Sequence, residues 1–280
     1  MSGAAHRFRV GELECTVLSD GSFDYPGSMF VENAEEAEIE KALVEHGDSF
    51  SCIVSPYTCL LVETQGKRVL LDTGGGALGP NTGKLQESLR VAGLEPGDID
   101  IVAFSHAHPD HLGGNTNAEG EVVFSNARHV IARKEWEHWA SEDVLTSVPE
   151  IFSDSIRKDM LPLADRIELV DDDCEVAPGI RMLPTPGHTI GHVAVVVSDG
   201  PDELLFIADA AIHPVHLEHP DWRPHFEYDP EQALASKRML FDRAADKGSL
   251  VHAFHFKPFP CLGHVSRAGQ GWSWEPLPLE

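Results

Sequence analysis

The feature that most constrains this chain is a short segment rich in metal-ligating side chains, residues 104–114, which reads FSHAHPDHLGG. An apolar run, residues 99–104, directly precedes it and predicts a buried strand. Four side chains that commonly bind metals follow within the next turn of the chain: His106, His108, Asp110 and His111. A strand that ends in such a dense turn predicts a metal site held on a rigid scaffold.

The spacing within this segment predicts two separate metal positions. His106 and His108 lie two residues apart, so their side chains leave an extended or turning backbone on the same side. Pro109 fixes its own φ, and we do not expect a helix to continue through it. Asp110 and His111 then point toward a second position nearby. One short loop is therefore predicted to serve two metals.

Composition restricts the classes of partner. The chain has 280 residues, with 46 acidic and 21 basic side chains and a formal net charge of −25. That balance argues against a nucleic-acid partner, since phosphate binding needs clustered Lys and Arg. No apolar run approaches the length of a membrane span, so no membrane partner is expected. The expected partner is a small-molecule substrate.

The cysteines and the N-terminus indicate a reducing compartment. Five scattered cysteines include no C-x-x-C pair, so neither a zinc knuckle nor a disulfide framework is predicted. The first residues lead into no apolar segment of the kind that signal peptides carry. We therefore expect a cytoplasmic protein.

Alternating strand and helix patterns predict an α/β fold, and no linker, repeat or low-complexity tract divides the chain. Strands are predicted over residues 8–18 (as one strand or a hairpin), 53–54, 58–63, 67–71, 99–104, 121–124, 129–132, 167–170, 180–183, 192–197, 203–207 and 250–254. Helices are predicted over residues 33–46 with Asn33 as a cap, 84–92, 133–141 and 231–245, with a helix or lid over 148–160.

Three further ligand candidates lie at the ends of predicted strands: His188 in the turn PTPGHTIGH, Asp209 after the apolar strand LLFIA, and His255 after residues 250–254. With the first segment they predict two sets. Metal one takes His106, His108 and His188, metal two takes Asp110, His111 and His255, and Asp209 bridges them. Imidazole and carboxylate ligands without thiolate favour two divalent ions, Zn²⁺ first, with Mn²⁺, Fe²⁺ or Co²⁺ as alternatives.

These motifs, in this order, resemble the signature of the metallo-β-lactamase superfamily. The motifs are His-x-His-x-Asp-His, Pro-Gly-His-Thr-x-Gly-His, the lone Asp209 and the late His255. The resemblance implies an αββα sandwich of two mixed sheets flanked by helices, formed by residues 1–280 as a single domain. It also implies that Asp72 supports a ligand histidine, and that His192 is structural.

The last seventy or so residues contain a further set of motifs: DAAIHPVH at 209–216, PDW at 220–222, DPE at 229–231, FP at 259–260, GHV at 263–265 and GWSW at 271–274. Together they resemble the branch of methyl parathion hydrolases and N-acyl-homoserine lactonases. That branch places aromatic side chains around a leaving-group pocket, for which Phe23, Trp222 and Phe226 are candidates. Two departures stand out. Lys257 and Pro258 lengthen the segment after His255, which makes His252 the alternative ligand. Ile212 stands where the lactonases carry a tyrosine.

The expected activity is that of a dinuclear metallohydrolase acting on an ester, lactone or organophosphate triester with an apolar body. A bridging hydroxide would attack the substrate, with Asp209 and Asp110 as the catalytic carboxylates and Asp110 as a candidate proton relay. The alternatives are an iron-dependent redox enzyme of the same fold, a thioester hydrolase, and an inactive binding protein. Related enzymes are often homodimers, so a homodimer is possible here by analogy.

One further histidine cluster is not expected to bind metal, because prolines interrupt it and its spacing matches no known site: His213, His216, His219 and His225.

Overall fold

The computed structural model describes residues 4–171 and 173–278. Within these ranges the strands form two sheets of seven, each in chain order. The first sheet contains strands β1 to β7: Ala5–Val10, Leu13–Tyr25, Ile53–Thr64, Lys67–Leu71, Ile101–Ala103, Arg128–Ala132 and Ile167–Val170. The second contains β8 to β14: Cys174–Ala177, Ile180–Pro184, Val193–Asp199, Asp202–Phe206, Leu250–His252, Leu262–Ala268 and Gly271–Pro276.

Both sheets mix antiparallel and parallel pairs. Strands β1 to β4 form an antiparallel meander, and β4 to β7 are parallel. In the second sheet the pair β11 and β12 is parallel, and its neighbours are antiparallel. Parallel neighbours need crossover connections, which usually contain helices. The α-helices α1 to α8 of the described residues are Glu36–Glu45, Leu85–Val91, Pro109–Leu112, Arg133–Trp139, Glu142–Leu145, Glu150–Ser155, Val215–Glu218 and Pro230–Lys247.

The two sheets pack face to face with helices outside them. Strand β10 shows this by its alternation: Val193, Val195 and Val197 belong to the apolar cluster shared with the first sheet. Ala194 and Val196 lie on the other face, in a cluster that includes residues of α8. A strand buried on both faces reads as a continuous apolar run, as this one does. The predicted αββα sandwich is confirmed.

Two local predictions are wrong. Residues 121–124 form a turn rather than a strand, joined to the rest by an isolated bridge between Thr116 and Val122. The side chain of Asn117 accepts the backbone N–H groups of Glu119 and Glu121, which favours a turn over an extended ladder. Asn33 does not cap α1, because its side chain instead bonds backbone groups beyond residue 220.

No helix among residues 4–171 and 173–278 combines the length and the apolar character needed to cross a bilayer.

Candidate metal centre

All seven predicted ligands lie at one edge of the sandwich, just beyond the ends of strands. His106 and His108 follow β5, His188 lies in the turn between β9 and β10, Asp209 follows β11 and His255 follows β12, while Asp110 and His111 lie on α3. Their ligand atoms lie within 4.8 Å of one another in two groups: His106, His108, His188 and Asp209, and Asp110, His111, Asp209 and His255. This is the predicted grouping, with Asp209 in both sets.

No helix runs through Pro109 from the preceding segment, but a helical turn begins at this residue. Residues Pro109–Leu112 form a single helical turn that begins at Pro109, with His108 as its N-cap residue. Proline is favoured at the first position of a helix, where its missing N–H removes no hydrogen bond. The proline therefore starts this turn, and the turn directs Asp110 and His111 to the second group.

Hydrogen bonds at Nδ1 orient two histidines of the second group. His111 Nδ1 lies 2.8 Å from Asp72 Oδ2. His255 Nδ1 lies 2.9 Å from Ser55 Oγ and 3.2 Å from the carbonyl oxygen of Pro56. An Nδ1–H that donates to oxygen leaves the lone pair on Nε2, which is how proteins prepare histidine for a metal. Both Nε2 atoms face the carboxylate of Asp209, the residue shared by the two groups.

Asp72 lies where the resemblance places it. It follows β4 with φ of +59°, in the left-handed region that non-glycine residues seldom adopt. Its carboxylate also accepts the backbone N–H and the hydroxyl of Ser105, each at 2.7 Å. Such strain persists only where the surroundings fix it, and it often marks functional sites.

Several buried polar atoms of the centre have no hydrogen-bond partner among the described residues: Nε2 of His106 and His111, Nδ1 of His188 and Oδ1 of Asp209. A buried polar atom left unpaired costs about 1–3 kcal/mol. His111 Nε2 lies 3.0 Å from Asp209 Oδ1, although no hydrogen bond joins these two atoms. His188 Nε2 lies 3.3 Å from Asp209 Oδ2. Imidazole nitrogens converging on a shared carboxylate suit divalent cations, so these residues fit the two implied metals.

The electrostatics of the first group favour neutral imidazoles. Burial lowers the pKa of His106 and His188 well below the usual value, and neighbouring imidazoles add to the effect. Burial lowers the pKa of His108 to about 4. Neutral imidazole is the form that ligates metals, so this group needs no deprotonation at neutral pH.

His192 has the structural place that the resemblance implies. Its Nε2 accepts the backbone N–H of Asp209 at 3.1 Å, and its Nδ1 lies 3.0 Å from the carbonyl oxygen of Thr185. His252, the alternative to His255, is fully buried and stacks on Phe206. It belongs to neither group of ligand atoms.

A cavity of about 520 Å³ opens onto both groups. Its lining is mostly apolar and includes Phe23, Tyr25, Phe30, Phe152, Ile212 and Phe226 beside His108, Asp110, His188, Asp209 and His255. Two of the predicted pocket aromatics, Phe23 and Phe226, line it. The third, Trp222, is not part of the lining: it stacks on His219, with ring centroids 4.0 Å apart, and belongs to the apolar cluster that also contains Phe30 and Ile212.

The remaining histidine cluster is spread over four different partners. His213 bonds Asp48, His216 bonds the carbonyl oxygen of Phe30, His219 stacks on Trp222, and His225 bonds Glu32.

Two buried carboxylates near the centre have no counterpart among the predicted site residues. Glu135 on α4 contacts the loops that contain His106, His108 and His188, and Asp48 contacts the segments after Asp209 and His255. A glutamate on an amphipathic helix and an aspartate before a strand both resemble surface residues in sequence. Only the tertiary fold reveals their burial.

The comparisons with known proteins agree with this geometry. The profile of the metallo-beta-lactamase superfamily matches residues 53–255. An N-acyl homoserine lactonase from Bacillus thuringiensis is 28% identical over 66% of this chain and 75% of its own length. Another, from Bacillus cereus, is 28% identical over 71% of this chain and 81% of its own length.

Two solved structures superpose on the whole chain. AidC, a dizinc quorum-quenching lactonase in complex with a product, has a TM-score of 0.89 at 26% identity, covering 100% of this chain and 99% of its own. AbOPH, a hydrolase in the beta-lactamase superfamily, has a TM-score of 0.90 at 22% identity with the same coverage, and supports the fold alone. The chain belongs to the metallo-β-lactamase superfamily, and it is a metal-binding hydrolase of that fold.

Proposed function

We propose that this protein is a two-metal lactonase that opens the cyclic ester of an N-acyl-homoserine lactone or a closely related ester with an apolar body. The observation that supports this most is the pair of ligand groups that share Asp209 and face one apolar cavity. The relatives named as N-acyl homoserine lactonases support the same substrate class.

The ligand assignment in the proposal follows the two groups. His106, His108 and His188 would hold the first metal, Asp110, His111 and His255 the second, and Asp209 both. Two bound divalent ions, Zn²⁺ first among them, lower the pKa of water toward neutrality and polarise an ester carbonyl.

The protein's own groups have distinct roles in the proposal. Asp110 is the candidate proton relay, because its side chain is 13% exposed toward the cavity while that of Asp209 is 5% exposed. Asp110 Oδ2 lies 3.4 Å from His255 Nε2, so the same carboxylate touches both the ligand group and the cavity. A carboxylate in this position can take a proton from water and return it to the leaving oxygen.

The cavity sets the apolar character of the substrate. Ile212 stands in the lining where the lactonases carry a tyrosine, so no hydroxyl comes from that position. The ring centroid of Phe152 lies 5.8 Å from that of Phe226 and 5.1 Å from that of His108. An acyl chain packed against these rings would supply binding energy distant from the ester bond. The same aromatic lining makes an organophosphate triester the second candidate substrate.

The Asp209→Ala variant tests the proposal. Loss of a carboxylate shared by both groups is expected to abolish lactone hydrolysis and to lower the metal content per chain. Asp165→Ala, at an exposed position, is the control and should match the unmodified protein in both measurements. Full activity in Asp209→Ala would contradict the assignment.

The single-domain organisation of residues 1–280, the homodimer and the cytoplasmic location stay predictions.

A further inference from the structure

The first of the two buried carboxylates, Glu135, joins the two loops of the first ligand group. Its Oε1 accepts the backbone N–H of Ala107, the residue between His106 and His108, at 2.9 Å. Its Oε2 accepts the hydroxyl of Thr189, the residue after His188, at 2.8 Å and the backbone N–H of Gly191, in the same turn, at 2.9 Å. One side chain thus fixes both loops.

The surrounding chain packs tightly against the side chain and backbone of Glu135. Glu135 is fully buried, and Trp139 Nε1 donates a fourth hydrogen bond to it at 2.9 Å. A side chain at Gly191 would approach the backbone nitrogen of Glu135 to 2.4 Å, so only glycine allows the loop to reach this close. Four donors satisfy both oxygens, which is the condition for burying a carboxylate.

The second carboxylate, Asp48, joins the segments that follow two ligands of the second group. Its Oδ1 accepts from Lys257 Nζ at 2.6 Å, two residues after His255. Its Oδ2 lies 3.2 Å from His213 Nε2, four residues after Asp209. The backbone N–H of Val215 donates to His213 Nδ1 at 3.3 Å, so the proton of the neutral ring is on Nε2 and is donated to Asp48.

We propose that Glu135 and Asp48 are positioning residues, one for each metal, so that the two metal sites can be weakened separately. Glu135 fixes the backbone of the loops containing His106, His108 and His188. Asp48 fixes the segments after Asp209 and His255. The inference rests on the two-metal site of the proposed function, and neither carboxylate touches a ligand atom itself.

Isosteric amides test these contacts without changing side-chain size. In Glu135→Gln, the new NH₂ group must face either Ala107 N–H with Trp139 Nε1–H, or Thr189 with Gly191 N–H. In Asp48→Asn it must face either the Lys257 ammonium or His213 Nε2–H. A donor then faces a donor, which costs more than losing one hydrogen bond. Each variant therefore loses hydrogen bonds that hold two segments together: the two loops of the first ligand group in Glu135→Gln, and the segments after Asp209 and His255 in Asp48→Asn.

The experiment measures zinc occupancy site by site. Crystals of each variant, equilibrated at limiting zinc, give the occupancy of both positions from anomalous diffraction at the zinc edge, and chelator competition gives the two affinities in solution. Glu135→Gln should weaken the site of His106, His108 and His188 by about tenfold to a hundredfold, the range for lost supporting contacts. Asp48→Asn should cause its larger loss at the site of Asp110, His111 and His255.

Matched exposed positions provide the controls. Glu137→Gln makes the same chemical change on the same helix, and Asp165→Asn does so in a loop. Both should retain the affinities of the unmodified protein. If Glu135→Gln does not fold, as judged by circular dichroism, Thr189→Val removes a single donor from the same contact and should weaken the same site.

Two results would overturn the inference: equal loss at both sites in both variants, or unchanged affinities in both. A structural role alone predicts lower thermal stability without site selectivity. Failure of the proposed function has a different signature, because the unmodified protein would then bind fewer than two metals under the same conditions.

Discussion

At the scale of single residues, Asp209 has the most demanding position. One carboxylate oxygen lies 3.0 Å from His111 Nε2 and 3.3 Å from His255 Nε2. The other lies 3.3 Å from His188 Nε2. Ala208, directly before it, has φ of +43°, a strained value for a residue with a side chain. The hydrogen bond from Asp209 N–H to His192 helps to fix this turn.

Asp72 provides the first prediction at this scale. Asp72→Asn keeps the shape of the side chain but removes the charge that supports His111 and one of the acceptor oxygens. We expect the affinity for the second metal to fall by about tenfold to a hundredfold, measured by chelator competition. The exposed Asp143→Asn variant should show no change. An unaltered affinity in Asp72→Asn would argue that His111 is oriented by other contacts.

A second prediction separates His255 from His252. Both ring nitrogens of His252 are buried without a hydrogen-bond partner among the described residues, and burial lowers its pKa to about 3. His252→Leu should keep both metals and raise the free energy of unfolding by about 1 kcal/mol, since it removes unpaired polar atoms. His255→Ala should lose one metal. Metal analysis and denaturant unfolding check both variants, and metal loss in His252→Leu would reverse the assignment.

At the scale of elements, the site is made by strand ends that reach a common edge. β4 and β5 are parallel neighbours, so Asp72 and His106 leave the sheet at the same end. β11 and β12 are also parallel, which brings Asp209 and His255 together. The general rule that ligands bind beyond the carboxyl ends of parallel strands therefore applies to both sheets.

Most strands and the ligand residues at their ends could be predicted from sequence, because an apolar strand followed by ligand residues gives a strong local signal. The strands β13 and β14 give a weaker signal, because Leu262–Ala268 shows no alternation of apolar and polar residues, and Gly271–Pro276 begins with glycine and ends with proline, which are both rare in strands. The strand β8, Cys174–Ala177, has only four residues, which is too short for a periodic pattern to predict it. The roles of Glu135 and Asp48 depend on partners distant in the chain, so no local pattern could predict them.

Helix α6 provides the prediction at this scale, because it brings Phe152 to the cavity. Phe152→Ala should lower kcat/KM for long-chain acyl lactones more than for short-chain ones, by about tenfold or more, since the ring's burial contributes about 1.5–3 kcal/mol. Kinetics over a series of chain lengths measure this. Val44→Ala, an exposed change on α1, is the control. An equal loss at every chain length would place the acyl chain elsewhere.

At the scale of the whole molecule, the metal centre joins the two sheets. His106 and His108 extend from the first sheet, whereas His188, Asp209 and His255 extend from the second. Bound metals would therefore cross-link the two halves of the sandwich, and their binding energy would be coupled to folding.

Removal of the metals should consequently lower thermal stability. Ligand at a thousand times its Kd stabilises the native state by about 4 kcal/mol. For a chain of this size we expect chelation to lower Tm by about 10 °C. Scanning calorimetry with and without chelator measures the shift, and Asp209→Ala should show a smaller one. A Tm that does not respond to chelation would mean that the folded protein binds metal no better than the unfolded chain does, which would contradict the two-metal centre.

The most direct test of the central claim is to measure the metal content of the protein as purified and then its hydrolytic activity after loading with zinc or manganese. The substrates are an acyl-homoserine lactone, an aryl ester, methyl parathion, a thioester and a cephalosporin. The account predicts two metals per chain, with the lactone turned over faster than the other substrates. One iron per chain without hydrolysis of any substrate would contradict it and would favour the redox alternative.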